Sequence, residues 1–212
     1  MEALRHSTKL SILVQLMSGL WSQQGLTKPG PPLLAHSLRL ELVVVAIQFF
    51  FYVGLLRNAQ LGTMAQTRYF DWFITTPLML LSMSSYFLYK SGDLSKSLGE
   101  VLTKHRTSIL RILALNLGML VSGYLGELGI IPRINAFVIG TALFLFMFRI
   151  IWKDMGGKKS KMFLPIAIVW GLYGKAYMLP EVPKNLMYNV LDLTSKNAFG
   201  AFLTHELLKM KM

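Results

Sequence analysis

The chain has 212 residues, 53% of them hydrophobic and only 15% charged, with no cysteine and a formal net charge of +12. Its mean hydropathy is +0.48. So much apolar sequence with so few charges disfavours the water-soluble globular classes, and the missing cysteines exclude disulfide, metal-thiolate and thiol chemistry.

Taken in order, seven apolar runs come near the ~20 residues a helix needs to cross a bilayer. They predict helices over 7–26, 36–57, 65–89, 107–126, 131–152, 161–179 and 182–208. The run Lys28-Pro29-Gly30-Pro31-Pro32 breaks the chain between the first two. Gly156-Gly157-Lys158-Lys159 separates the fifth from the sixth, and Pro180 with Pro183 separates the sixth from the seventh. No convincing small-residue cleavage site follows the first run, which reads as a retained helix. The expected fold class is an all-α membrane protein, one seven-helix bundle over 1–212, in a multi-pass integral location.

The basic residues fall on alternate connections. Lys90, Lys96, Lys104 and Arg106 share one loop, and Arg149, Lys153, Lys158, Lys159 and Lys161 another. Lys28 and Arg39 flank the first loop, and Lys209 and Lys211 close the chain. The opposite loops hold little beyond Arg57, Arg133 and Lys184. This pattern is a topology signal plus attraction to anionic lipid, and argues against a nucleic-acid partner. It predicts the N-terminus outside and the C-terminus in the cytoplasm.

Inside a membrane the informative residues are polar ones at depth, because each charge there is costly. Arg68 and Asp71 lie three apart on the third helix, and Asp192 and Lys196 four apart on the seventh, so each pair shares a helix face. One reading is a charge-balanced cluster that fixes helix packing. A chemical reading is that a lysine amine in a dry pocket condenses with an aldehyde, losing water, and that its protonated imine needs a carboxylate counter-ion. Trp170, Tyr173 and Tyr177, spaced by three and four, with Trp72 beside Asp71, could wall such a chromophore or could be ordinary core.

These residues match a family. Arg68-Tyr69-Phe70-Asp71-Trp72-Phe73-Ile74-Thr75-Thr76-Pro77-Leu78 resembles the third helix of the microbial (type 1) rhodopsins. Leu191-Asp192-Leu193-Thr194-Ser195-Lys196 resembles their retinal-attachment segment, and Trp170-Gly171-Leu172-Tyr173-Gly174 the sixth-helix wall of the pocket. The resemblance implies retinal on Lys196 as a protonated Schiff base, Asp71 as principal counter-ion and proton acceptor, and Asp192 as the second carboxylate. Arg68 would lie on their extracellular side, and Thr75 would hydrogen-bond near Asp71. Trp72, Thr76, Phe137, Gly140, Trp170, Tyr173 and Tyr177 would line the chromophore. Phe137 stands where many relatives have tryptophan, and Gly174 where many have proline. Lys175, two residues before Tyr177, is expected to point away from the pocket and reach the interface.

Retinal binding leaves the use of light open. An outward proton pump of the bacteriorhodopsin kind uses a carboxylic acid on the cytoplasmic half of the third helix. Eleven residues after Asp71 this chain has Ser82, which cannot donate a proton at physiological pH. Polar stripes occur instead on the first helix (Ser11, Gln15, Ser18, Ser22), the second (Glu41, Gln48, Tyr52) and the seventh (Asn185, Asn189, Asp192, Lys196, with Asn197 at the flank). With Arg68 and Ser82 on the third helix, they serve either as hydrogen-bonding glue between helices or as the lining of a hydrated cation path.

The run Glu41-Leu42-Val43-Val44-Val45-Ala46-Ile47-Gln48-Phe49-Phe50-Phe51-Tyr52, with the short first loop and the seventh-helix asparagines, is similar to rhodopsins carried by giant viruses of algae and other protists. One group of those acts as light-gated cation channels. The expectation is therefore a light-gated channel for protons and monovalent metal ions in a host-cell or viral membrane. An outward proton pump and a sensory rhodopsin are the alternatives, and self-association into a homo-oligomer is left open. No metal-ligand cluster, nucleophile triad or phosphate loop suggests an enzyme.

Overall fold

The computed structural model describes residues 2–58 and 60–210. Nine α-helices occur among them: α1 (Glu2–Ser22), α2 (Pro32–Asn58), α3 (Leu61–Ser91), α4 (Leu98–Lys104), α5 (Arg106–Glu127), α6 (Arg133–Asp154), α7 (Phe163–Tyr177), α8 (Glu181–Asp192) and α9 (Ala198–Lys209). A π turn, Leu193–Asn197, fuses α8 and α9 into one long seventh span. Setting aside the short α4, the order is that of a seven-helix membrane bundle.

α2, α5 and α6 alone among the described helices are long and apolar enough to cross a membrane by composition. The others depart for physical reasons that matter to the site. α1 and α3 carry interior polar residues, α7 is short, and the seventh span is split by its π turn.

Several ends differ from the predicted ones. α1 starts five residues earlier than expected and passes into a 3-10 turn at Gln23–Thr27. α4 was not expected, although its signal is present: Ser97 Oγ accepts from the Glu100 amide (3.1 Å) and Glu100 Oε2 accepts from the Lys96 amide (2.9 Å). Such reciprocal capping needs only a serine followed three residues later by glutamate.

The basic loops gather at one end of the bundle with the C-terminal part of α9, called here the basic end. Its core is apolar, with Leu33, Leu34, Leu38, Met83, Phe87, Leu203 and Leu207 all buried. Ser37 and Ser82 cross-link α2 and α3 within it. Toward the other end the interior turns aromatic, then ionic. Pro77 inside α3 leaves the Phe73 carbonyl without its helical donor, a local weakness beside the site.

Candidate functional site

Arg68, Asp71 and Thr75 recur at intervals of three and four on α3, so the helix presents all three on one face. That face meets the π turn. Lys196 Nζ donates to Asp71 Oδ2 at 2.8 Å and lies 3.4 Å from Asp192 Oδ1. Arg68 Nη1 lies 3.3 Å from Asp192 Oδ2. All four side chains are buried, and their formal charges cancel. Within the membrane such a cluster holds only because each charge has a partner, and removing one partner strands another.

Asp192 is the most heavily bonded of the four. Its Oδ2 accepts from the Tyr52 hydroxyl (2.7 Å), and its Oδ1 from the Tyr173 hydroxyl (2.8 Å) and Trp72 Nε1 (3.3 Å). Asp71 keeps Oδ1 without a protein partner. The two carboxylates are therefore unequal. Asp192 is locked by three neighbouring helices, α2, α3 and α7, whereas Asp71 keeps acceptor capacity beside the amine. Thr75 donates to the Asp71 main-chain carbonyl (2.9 Å), not to its carboxylate.

Arg68 spends its donors on Tyr52, Asp192, Asn185 and Asn189. Nε donates to Asn185 Oδ1 (3.0 Å), Nη1 to the Tyr52 hydroxyl (2.9 Å), and Nη2 to Asn189 Oδ1. Asn189 in turn donates to Ser7 Oγ on α1 (3.0 Å), so the arginine ties α1, α2, α3 and α8 together.

A cavity of about 470 Å³ opens beside the amine, with Lys196 and Ser195 on one wall. Trp72, Thr76, Phe137, Gly140, Trp170, Tyr173 and Tyr177 all line it, and Thr75 does not. Lys175 corrects the expectation placed on it: it is exposed, yet it also lines the cavity. A second cavity of about 180 Å³ lies toward the basic end and shares Met79, Trp170 and Ser195 with the first. Glu41 lines it, and neither of its carboxylate oxygens has a protein partner.

The other expected path residues are placed as follows. Ser11, Gln15, Gln48 and Asn197 are buried, and Asn197 Nδ2 donates to Ser18 Oγ (2.7 Å). Gln15 and Gln48 have no side-chain partner. Ser82 donates to the Ser37 carbonyl (3.1 Å) and is part of a helix clamp.

Sequence reasoning missed several contributors. Asn116 donates to Thr76 Oγ1 (2.8 Å), Ser195 shares a hydrogen bond with Tyr173 (2.9 Å), and the Tyr188 ring packs edge-on against Trp72. Lys184, read as a loop charge, is fully buried and holds both Glu127 oxygens and Glu181 Oε1. The spacing Glu181-x-x-Lys184 could have suggested one of those pairs.

A cavity of this volume falls within the ~300–1,000 Å³ that hold small organic ligands, and an amine on its wall allows an aldehyde to be held covalently. Aromatic walls, a buried amine and paired carboxylates fit retinal, in a retinal-binding membrane protein. The sequence family described as "Bacteriorhodopsin-like protein" matches residues 12–210, and the chain belongs to it. Its members are retinal-binding photoreceptors or light-driven ion transporters of multi-pass membrane location, not enzymes.

The chain is similar to the green-light absorbing proteorhodopsin of Gamma-proteobacterium EBAC31A08, 26% identical over 196 residues, 82% of this chain and 74% of the relative. The crystal structure of viral rhodopsin OLPVRII matches with a TM-score of 0.83 at 26% identity, covering 99% of this chain and 100% of that one. A blue light-absorbing proteorhodopsin from Med12 shares the fold, with a TM-score of 0.77 at 22% identity over 98% of this chain and 97% of its own.

Proposed function

We propose that the chain carries retinal on Lys196 and acts as a light-gated cation channel, its path running along α1, α2, α3 and the seventh span, with the basic end in the cytoplasm. The bound cofactor supplies light absorption and a light-driven change of shape. The chain's own groups do the rest. Asp71 balances the Lys196 nitrogen and has the free oxygen Oδ1 with which to accept its proton. Asp192, fixed by Tyr52, Tyr173 and Trp72, keeps a permanent negative field beside it. The topology follows from the one-sided distribution of Lys and Arg.

The observation that carries the reading is a file of buried polar atoms without protein partners: Gln15, Glu41 and Gln48 with both side-chain atoms, Asp71 with Oδ1 and Asn197 with Oδ1. Each such group costs about 1–3 kcal/mol unless water satisfies it. On α2 they begin at Gln48, one turn from the hydrogen-bonded Tyr52, and continue to Glu41, a further ~10 Å at 1.5 Å per residue. Water recruited to these groups supplies most of a conducting path. Two barriers close it at rest: the Arg68 knot at one end, and the Ser37–Ser82 clamp in its apolar surroundings at the other.

Light-induced current in a voltage-clamped cell supplied with retinal tests this. A current that reverses sign at a potential following the cation gradient is expected. One that stays outward at every potential overturns the channel reading.

A second reading, outward proton transport, is favoured by one observation. The Glu41 carboxylate, on the basic-end side of Lys196, lies beside the second cavity with no hydrogen-bond partner. It could take the role that Ser82 cannot. Persistently outward current abolished by Glu41→Gln is its signature.

A further inference from the structure

We propose that the seam between α6 and α7 is the doorway by which the cavity is loaded with retinal directly from the lipid. The proposal rests on the retinal-binding reading. It starts from how thin the wall is there. Leu145 on α6 is 61% exposed and Met178 just beyond α7 is 40% exposed, yet both line the cavity. Along this seam a single layer of side chains separates cavity from surroundings. On the α3 and α5 side, by contrast, the lining residues Tyr69, Trp72 and Leu120 are buried by further structure.

Toward the basic end α6 and α7 are held by aromatic pairs, Phe148 with Phe163 and Trp170, and Trp152 with Phe163; beside the cavity the contacts are less specific. Phe144 lies over Gly171, its ring 3.8 Å from where a Cβ would stand, and Phe137 lies over Gly174 at 3.3 Å. A phenyl ring on bare glycine backbone interlocks with nothing, so a rotamer change separates the surfaces without moving a helix. Among the described residues no hydrogen bond or ion pair joins α6 to α7. Their one polar contact is the Arg133 guanidinium over the Tyr177 ring, at the end away from the basic loops. α5 and α6, in contrast, are joined by Ser122 donating to the Ala136 carbonyl (3.0 Å) and by the Arg133–Glu127 pair (3.5 Å).

Both bundle ends are poor alternatives. The basic end is filled by the apolar core around the Ser37–Ser82 clamp. At the other end a ligand would have to part the Arg68 knot or the buried Lys184 cluster, each break stranding a charge. A polyene aldehyde dissolves in the acyl chains, so it meets the protein from the side. The Lys196 amine lies against α3, across the cavity from α6, so passage through the seam is aldehyde first.

The absence of cysteine permits a clean test. The chain carrying Phe144→Cys and Gly171→Cys is made without retinal, placed in lipid vesicles, and bridged across the seam with a short bifunctional thiosulfonate. All-trans-retinal is then added, and two signals are followed: quenching of tryptophan fluorescence and the rise of visible absorbance, scaled to its final value. Bridging should slow both at least tenfold, and dithiothreitol should restore the rate. Leu145→Trp, which crowds the mouth from outside, should slow loading several-fold, and Phe144→Ala should speed it.

Equal rates before and after reduction of the bridge, with no effect of Leu145→Trp, overturn the doorway. A wild-type chain that gives neither quenching nor pigment overturns the retinal reading itself, and the doorway with it.

Discussion

Lys184 Nζ bonds both oxygens of Glu127, at 2.9 and 2.8 Å, with the lysine side chain wholly buried. Glu181 Oε1 adds a contact at 2.6 Å, and Arg133 approaches both carboxylates at 3.5 Å. The cluster pins the start of α8, one residue before Asn185 and thus before the Arg68 knot. Lys184→Met leaves Glu127 only the longer Arg133 contact (3.5 Å) and should cost on the order of 3 kcal/mol, with Lys184→Met/Glu127→Met recovering much of that. Denaturation in mixed detergent followed by circular dichroism measures it, and a single variant as stable as wild type would refute a structural role for the cluster.

Asp71 and Asp192 should differ in how they tune the pigment. Asp71→Asn removes the acceptor nearest the Lys196 nitrogen and should shift absorption and its pH response strongly. Asp192→Asn should chiefly destabilise, because Tyr52, Tyr173, Trp72 and Arg68 all lose an ionic acceptor. Spectra of the two variants between pH 4 and 9 decide it, and Lys196→Ala should form no pigment at all. A visible pigment in that variant refutes the attachment site.

Gly126 is a packing requirement. A Cβ at this position would overlap the Tyr177 hydroxyl and the Ala136 methyl, so α5, α6 and α7 meet here only around a glycine. Gly126→Ala should lower stability by about 1–3 kcal/mol and displace Tyr177 from the cavity wall. Thermal unfolding and the absorption maximum report the two effects separately.

The loop between α3 and α4 should depend on pH. Burial alone would raise the Asp93 carboxyl, but hydrogen bonds from Lys104, Ser95 and His105 outweigh it and hold the group well below the ordinary carboxylate range. A carboxyl depressed on folding contributes stability above its unfolded pKa of ~3.9 and loses it as pH falls through the lower folded value. The melting temperature should therefore fall between pH 5 and pH 2 by more in wild type than in Asp93→Asn. Equal falls in the two proteins would show that Asp93 contributes nothing to the acid response.

Much of this was legible in the sequence because membranes make polarity expensive. Arg68, Asp71, Asp192 and Lys196 stand out against apolar runs, and their spacing puts each pair on one helix face. The seven runs gave the bundle for the same reason. What the sequence concealed were contacts depending on where helix ends meet. Lys184 counts with the loop charges although it falls inside the predicted seventh helix, and no local pattern points to Glu127, 57 residues away, as its partner. Ser82 reads as unable to donate a proton and as a candidate path residue, yet its hydroxyl is spent on Ser37, a partner 45 residues away that no local pattern announces. Lys175 was expected to face away from the cavity, but the wall there is one side chain thick, so a residue on the rim belongs to both surfaces.

The π turn at Leu193–Asn197 has a consequence for how the seventh span is read along its length. A π turn holds one more residue than an α turn, and one residue corresponds to about 100° of helix rotation. From Asn185 to Thr204 an unbroken α-helix would drift by about 100°, and the extra residue takes up that drift: Asn189 donates to Ser7 on α1, and beyond the turn Thr204, bonded also to the Gly200 carbonyl, still reaches the Ser22 carbonyl at the far end of the same helix. The amine sits in the joint that makes this correction. Removing one residue from the turn would swing one half of the span against the other by about 100°, so the joint that carries Lys196 also keeps the charged half and the apolar basic-end half facing the same side of the bundle.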